Sequence, residues 1–384
     1  MRIKGINLGN WLVLEKWMKP VLFEGTDAED ETWLNRTLPA EELSERLKEH
    51  RETFITEEDF AYIKNEGFNL VRIPVPYFIF GDYPPYEGCV RYLDRAFTWA
   101  DKYGLKIMID LHTSPGNQNG YDNGGIVGVC KWHKNPKEVK FVLSVLSRLA
   151  RRYAYENALF GIEVLNEPIS LSVFLASPST RQAADKEEAK GSSFVPLAFL
   201  RSFYKKAYEV IRRHLPEDKC IVFHDGYRLE AWIDFFRRNA MVNVYVDAHI
   251  YIFHMESYIK IHDIRSYTAF IRLQKYRLKL MQSKVNIIVG EWCISNAYAN
   301  DYTGDAGMSM EQIATERKRR YLEVAALQLD AWKVTSGDIY WSYKFDGDAD
   351  VPLDAHWKES WDYRRCRNNG WIPRIKTSVK DHLR

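Results

Sequence analysis

Short apolar runs separated by helical stretches recur eight times along this chain, and that alternation leaves few folds open. The runs occupy residues 3–10, 68–75, 106–112, 161–168, 220–224, 242–252, 286–291 and 338–345. Most are separated by stretches with helix signals. Thr56 followed by Glu57, Glu58 and Asp59 sets an N-cap and an acidic first turn, and Gly67 and Gly104 stop helices. Eight such strand and helix units predict a (β/α)8 TIM barrel rather than an open sheet. One barrel accounts for 384 residues, so residues 1–384 read as a single α/β domain with elaborated loops at the C-terminal face.

A barrel of this kind carries its active site at the C-terminal ends of its strands, so polar residues are expected there. The run 161–168 reads Gly-Ile-Glu-Val-Leu-Asn-Glu-Pro. Pro168 cannot continue a ladder and is expected to hold Glu167 extended at a strand mouth. On its own, Asn166-Glu167-Pro168 marks only a strand exit. A second run, Ile287-Ile288-Val289, then delivers Gly290, Glu291 and Trp292. Two carboxylates at strand ends are what cleavage of a glycosidic bond needs, one to protonate the leaving oxygen and one to attack or to activate water.

Other strand ends carry matching groups. Arg72 lies inside a strand covered on both faces, where a charge needs a carboxylate partner. His112 and Trp341 fall at or near strand ends, and His249 and Tyr251 share one face by alternation. The loop 113–129 is rich in Gly and Asn and offers Asp122 and Asn123, as a solvated excursion or a binding rim. Glu15 stands among Trp11, Leu12, Leu14 and Trp17, either facing water or aimed into a pocket. Segment 27–53 reads as charged and loop-like with an amphipathic stretch around Leu43 and Leu47, segment 258–281 as one helix, and segment 169–195 as a surface insertion rather than a lid.

Composition narrows the partners. Lys+Arg 54 against Asp+Glu 52 leaves a formal charge of +2, which points away from nucleic acid and acidic membrane surfaces and towards an uncharged substrate. Aromatic residues make up 14%, and their faces suit sugar rings, although most fill the core. Five scattered cysteines lack C-x-x-C spacing, so free thiols and no metal site are expected. The start Met-Arg-Ile-Lys-Gly-Ile has no apolar signal region and no run is long enough to span a bilayer, so the expected residence is cytoplasmic. Oligomeric state is open.

These motifs together resemble glycoside hydrolase family 5 (cellulase family A). The resemblance rests on Asn7-Leu-Gly-Asn-Trp11 with Val13-Leu-Glu15, Val71-Arg72-Ile-Pro74, Asp110-Leu-His112, Asn166-Glu167-Pro168, His249-Ile-Tyr251, Gly290-Glu291-Trp292 and Trp341. Within the family, the Glu15 segment and residues 115–123 look most like the exo-1,3-β-glucanase branch. The resemblance implies a retaining β-glycosidase without a cofactor, acting on β-glucosides or β-glucan oligosaccharides. In it Glu291 is the nucleophile, kept ionised by Arg72 and the Tyr251 hydroxyl, and Glu167 is the acid/base, protonated near neutral pH. It further implies Asn166 on the sugar 2-hydroxyl, and His112 and His249 completing the polar ring. Trp341 would form a platform followed by a cis peptide, with Glu15, Asp122 and Asn123 at the non-reducing end. An endo-β-glucanase, a diglycosidase or an inactive sugar-binding protein are the alternatives.

Overall fold

The computed structural model describes residues 2–260 and 262–375. Its strands are β1 (Ile3–Asn7), β2 (Leu70–Val75), β3 (Lys106–Leu111), β4 (Leu159–Glu163), β5 (Cys220–His224), β6 (Val244–His249), β7 (Asn286–Trp292) and β8 (Gly337–Tyr340). They pair in parallel in sequence order, and β8 pairs back onto β1, closing a barrel. This is the (β/α)8 fold expected from the alternation. Closure removes every strand edge, so backbone pairing is complete around the ring.

Local chemistry sets the helices that cover it. Helix Glu57–Asn65 opens on a capping box between Thr56 and Asp59. Helix Val90–Tyr103 stops where Gly104 turns left-handed at φ 62°. Helix Pro136–Tyr153 starts on Pro136 behind the Asn135 cap and lays Val142, Val145, Leu146 and Leu149 against the barrel.

The strands are shorter than the runs 3–10, 242–252 and 338–345, with residue 252 opening a helix, and other readings change too. Segment 27–53 is helical, as Glu31–Thr37 and Ala40–Thr53, because the Asp30 carboxylate caps the first helix at the Trp33 N–H (2.8 Å) and Leu34, Leu43 and Leu47 build a small core of their own with Leu14, Leu22 and Phe23. The stretch 258–281 is not one helix: Ile252–Tyr258 ends on its first residue, and Ile264–Gln282 starts afresh on the Asp263 cap. Finally, β4 ends at Glu163, and Glu167 is not extended but sits at φ +46°. The amides of Val164 and Asn166 still donate to Val222 and Leu111 on the neighbouring strands, so the chain stays registered up to the residue that turns. A left-handed non-glycine residue costs on the order of 1–3 kcal/mol and persists where its surroundings hold it. The five cysteines are buried and free. Among the described residues, no helix is long and apolar enough to cross a membrane.

Gly290 shows how tightly the barrel interior is built. A Cβ there would lie 1.8 Å from Asp247 Oδ2, while the Gly290 N–H donates to Asp247 Oδ1 at 2.6 Å. Gly290→Ala is therefore expected to destabilise the fold by about 1–3 kcal/mol through overpacking. Chemical denaturation measures this, and an unchanged midpoint would contradict it.

Candidate active site

Arg72 projects from the middle of β2 into the barrel and is fully buried. Its Nε donates to Glu163 Oε2 (2.7 Å), and Nη1 to Glu291 Oε1 (2.8 Å) and Asn7 Oδ1 (3.0 Å). Nη2 donates to Asn166 Oδ1 (3.0 Å) and pairs with Asp110 Oδ2 at 3.1 Å. Asp247 closes the ring at 3.9 Å. One cation thus serves four buried carboxyl groups. The partner expected for Arg72 is present, in excess.

That excess governs protonation. Burial pushes the Glu163 carboxyl well above its usual range, against the pull of Arg72. Burial would also discharge His249, but Glu291, Asp247 and Glu167 around it outweigh that and hold the imidazole charged. His249 Nδ1 lies 2.8 Å from Glu167 Oε1 and 3.4 Å from Glu291 Oε2. These two oxygens therefore lie no farther apart than 2.8 and 3.4 Å laid end to end.

The resting charge of Glu167 differs from that expected. Burial raises the Glu291 carboxyl despite His249 and Arg72. For Glu167 burial acts in the same sense, but the hydrogen bond and charge of His249, with the hydrogen bond of Tyr227, overcome it and hold the carboxyl below its usual range. The reason is distance: the charged ring sits nearer Glu167 than Glu291. Glu291 Oε2 does accept the Tyr251 hydroxyl at 2.7 Å, as expected.

The remaining residues fall into two groups. Asn166, His112 and Trp341 line the ring, with Asn166 Nδ2 3.3 Å from His112 Nε2 and the His112 ring stacked on Trp341 at 5.7 Å. His112 Nδ1 meets Asp110. The peptide between Trp341 and Ser342 is cis, as the resemblance implies. Glu15 is buried and accepts the Trp17 indole N–H at 2.9 Å. Asp122 is half-buried on the loop after β3, and burial pushes it to about 6, while burial and the nearby Asp122 raise Glu15. Asn123 does not stand with this pair alone, because its Nδ2 donates to Glu167 Oε2 at 3.2 Å.

Several participants escaped the sequence reading. Glu163, Asp247 and His224 are fully buried beside the site. A usable signal was present for one: Asp247 stands two before His249 on one strand face, as Asp110 does before His112. His224 ends β5 and meets His249 edge-on at 4.4 Å. The segment after β4 also departs from a plain surface insertion, since Val173, Ala176 and Pro178 line the cavity that holds Glu15, Glu167, Glu291 and Trp341. Its volume is about 490 Å³, within the range of roughly 300–1,000 Å³ typical of small-molecule sites.

Among the described residues, two side-chain sets have metal-like spacing, Glu167 with His224 and His249, and Glu163 with Asp247 and His249. Neither suits a cation. His224 Nδ1 accepts the Gly226 N–H at 2.9 Å, so the neutral ring carries its proton on Nε2, the atom left to ligate. In the second set Arg72 already supplies the positive charge.

A buried carboxyl pair at the mouth of a closed parallel barrel is the arrangement of a barrel glycosidase. The family model for "Cellulase (glycosyl hydrolase family 5)" matches residues 37–335. A "Probable glucan 1,3-beta-glucosidase A" of Emericella nidulans is 32% identical, covering 98% of this chain and 91% of the relative. A "Glucan 1,3-beta-glucosidase" of Kluyveromyces lactis is 29% identical over 98% of this chain and 90% of its own length. Among solved structures, a rutinosidase from Aspergillus niger superposes with a TM-score of 0.72 at 21% identity, covering 97% of this chain and 98% of that one, a likeness of fold. The chain belongs to glycosyl hydrolase family 5, and it is a glycoside hydrolase.

Removing the central cation tests the site's electrostatics. Arg72→Met strands buried carboxylates and is expected to cost about 3–5 kcal/mol at pH 7. The stranded carboxyl groups would have raised folded-state pKa values, so the loss should grow as pH rises above the ordinary carboxylate range and shrink below it. Denaturation midpoints across pH measure this, and a midpoint equal to that of the parent protein at pH 7 would contradict it.

Proposed function

We propose that this enzyme is an exo-acting, retaining β-glucosidase that releases the terminal glucosyl unit of β-glucosides or β-glucan oligosaccharides. The observation that carries the reading is the convergence of Glu167 and Glu291 on one nitrogen of His249 inside a pocket that Glu15 and Asp122 also line. The relatives named as glucan 1,3-beta-glucosidases support it.

In this reading Glu291 attacks the anomeric carbon as Glu167 protonates the departing oxygen, so the glycosidic bond breaks while a glycosyl ester forms on Glu291. Arg72 and Tyr251 orient the attacking carboxylate and disperse its charge. The proton that Glu167 delivers is held in the resting site on His249 Nδ1, 2.8 Å from Glu167 Oε1. After the leaving group departs, Glu167 takes a proton from water, whose oxygen attacks the same carbon and frees Glu291. Two inversions leave the product β. Asn166, held by Arg72 and His112, presents its amide to the sugar 2-hydroxyl, and Trp341 forms the platform. Glu15 and Asp122, raised by burial, donate to or accept from hydroxyls at the closed end.

Proton NMR of the first turnovers on 4-nitrophenyl β-glucoside checks the stereochemistry, with β-glucose expected before mutarotation. On a β-1,3-gluco-oligosaccharide, glucose is expected as the first and only small product. Initial α-glucose would overturn retention, and products from internal bonds would overturn the exo reading.

A further inference from the structure

The pocket is chemically lopsided. All the carboxyl and amide side chains lining it, Glu15, Asp122, Asn123, Glu167 and Glu291, belong to the reacting pair or to the sugar-binding end. Beyond Glu167 the walls change character. Helix Leu171–Ala176 and the turn after it present Val173, Ala176 and Pro178 with Ser177 and Ser179, and helix Ile252–Tyr258 presents Phe253, His254 and Tyr258 with Ser257, whose hydroxyl donates to the His254 carbonyl at 2.7 Å. Neither segment sends an acid, an amide, a lysine or an arginine into the cavity. Glu256, the one acid on the second helix, is turned away onto the Tyr267 hydroxyl at 2.6 Å. Burial keeps His254 below its usual range and hence neutral.

This apolar wall begins at the acid. Tyr227 bonds the Glu167 carboxyl and meets His254 edge-on at 6.2 Å. From there the rings continue through Phe253 (4.3 Å) to Trp361 (5.7 Å). At the rim, Phe253 and Tyr258 are 41% and 70% exposed, so helix Ile252–Tyr258 carries unburied apolar surface to the mouth. Glu167 protonates the leaving oxygen, so these walls surround the leaving group. A second sugar there would bring hydroxyls to faces with few partners, and each unsatisfied buried polar group costs about 1–3 kcal/mol.

We propose that the preferred substrates are β-glucosides whose leaving group is a bulky apolar alcohol or phenol, aromatic or alicyclic, rather than another sugar. The proposal rests on the exo-β-glucosidase reading above and names its substrate class. The glucosyl unit is recognised by carboxyl and amide groups, and the aglycone by ring faces and aliphatic side chains.

Leaving-group acidity must be held constant in the test, so the panel consists of β-glucosides of primary alcohols: methyl, butyl, octyl and 2-phenylethyl glucoside, with gentiobiose as the sugar-bearing member. The expected result is a kcat/KM that rises roughly fourfold per methylene that becomes buried, with octyl and phenylethyl glucoside well above gentiobiose. Val173→Asp and, independently, Tyr258→Ala should lower the octyl-to-methyl ratio at least threefold. Gentiobiose turned over faster than octyl glucoside, or ratios unchanged in both variants, would overturn the substrate class while leaving the β-glucosidase reading intact. Release of no glucose from any member or from 4-nitrophenyl β-glucoside would instead overturn that reading, and this proposal with it.

Discussion

The guanidinium of Arg72 is the interaction on which the interior depends. Glu163, Asp110, Asp247 and Glu291 crowd a closed barrel from which water is excluded, and two unscreened carboxylates 4 Å apart repel by about 4 kcal/mol even at an effective dielectric of 20. One planar cation, donating along Nε, Nη1 and Nη2, makes their burial tolerable and fixes their geometry. A lysine would supply the charge without the fork. What remains unbalanced is absorbed by protons, with Glu163 raised and His249 held charged. The reacting glutamates inherit their resting states from this balance, so the site's protonation belongs to the ring of strands as a whole.

Much of this was legible in the residues and some was not, for physical reasons. Strand positions followed from short apolar runs, because strands inside a covered barrel carry almost nothing else. Strand ends were less legible: β4 stops at Glu163, and the left-handed turn at Glu167 depends on tertiary contacts that no local pattern encodes. The helices Glu31–Thr37 and Ala40–Thr53 were obscured because they bury only a narrow face in a satellite core, leaving a charged exterior. Of the site, Arg72, His112, Asn166, Glu167, His249, Tyr251, Glu291 and Trp341 meet as the strand-end pattern and the resemblance implied. His224 did not stand out, since one histidine ending an apolar strand reads as a core residue. The lowering of the Glu167 carboxyl was beyond reach of sequence, since it turns on the approach of His249 Nδ1 to 2.8 Å from it.

The structure also divides its labour between scaffold and loops. Groups that do chemistry sit on or just past strands, where the barrel holds them rigidly. The excursion after β4 and the helix after β6 instead line the cavity from outside the strands and supply apolar wall. Such a division lets one catalytic centre serve different leaving groups by changing loops alone.

The central claim is that Glu291 forms the covalent bond and Glu167 moves the proton. Incubation with a 2-deoxy-2-fluoro-β-glucoside bearing a dinitrophenyl leaving group slows release of the glycosyl ester, and peptide mass spectrometry then locates it. The account expects one fluoroglucosyl group per chain, on Glu291. A label on Glu167, or on any other residue, would contradict it.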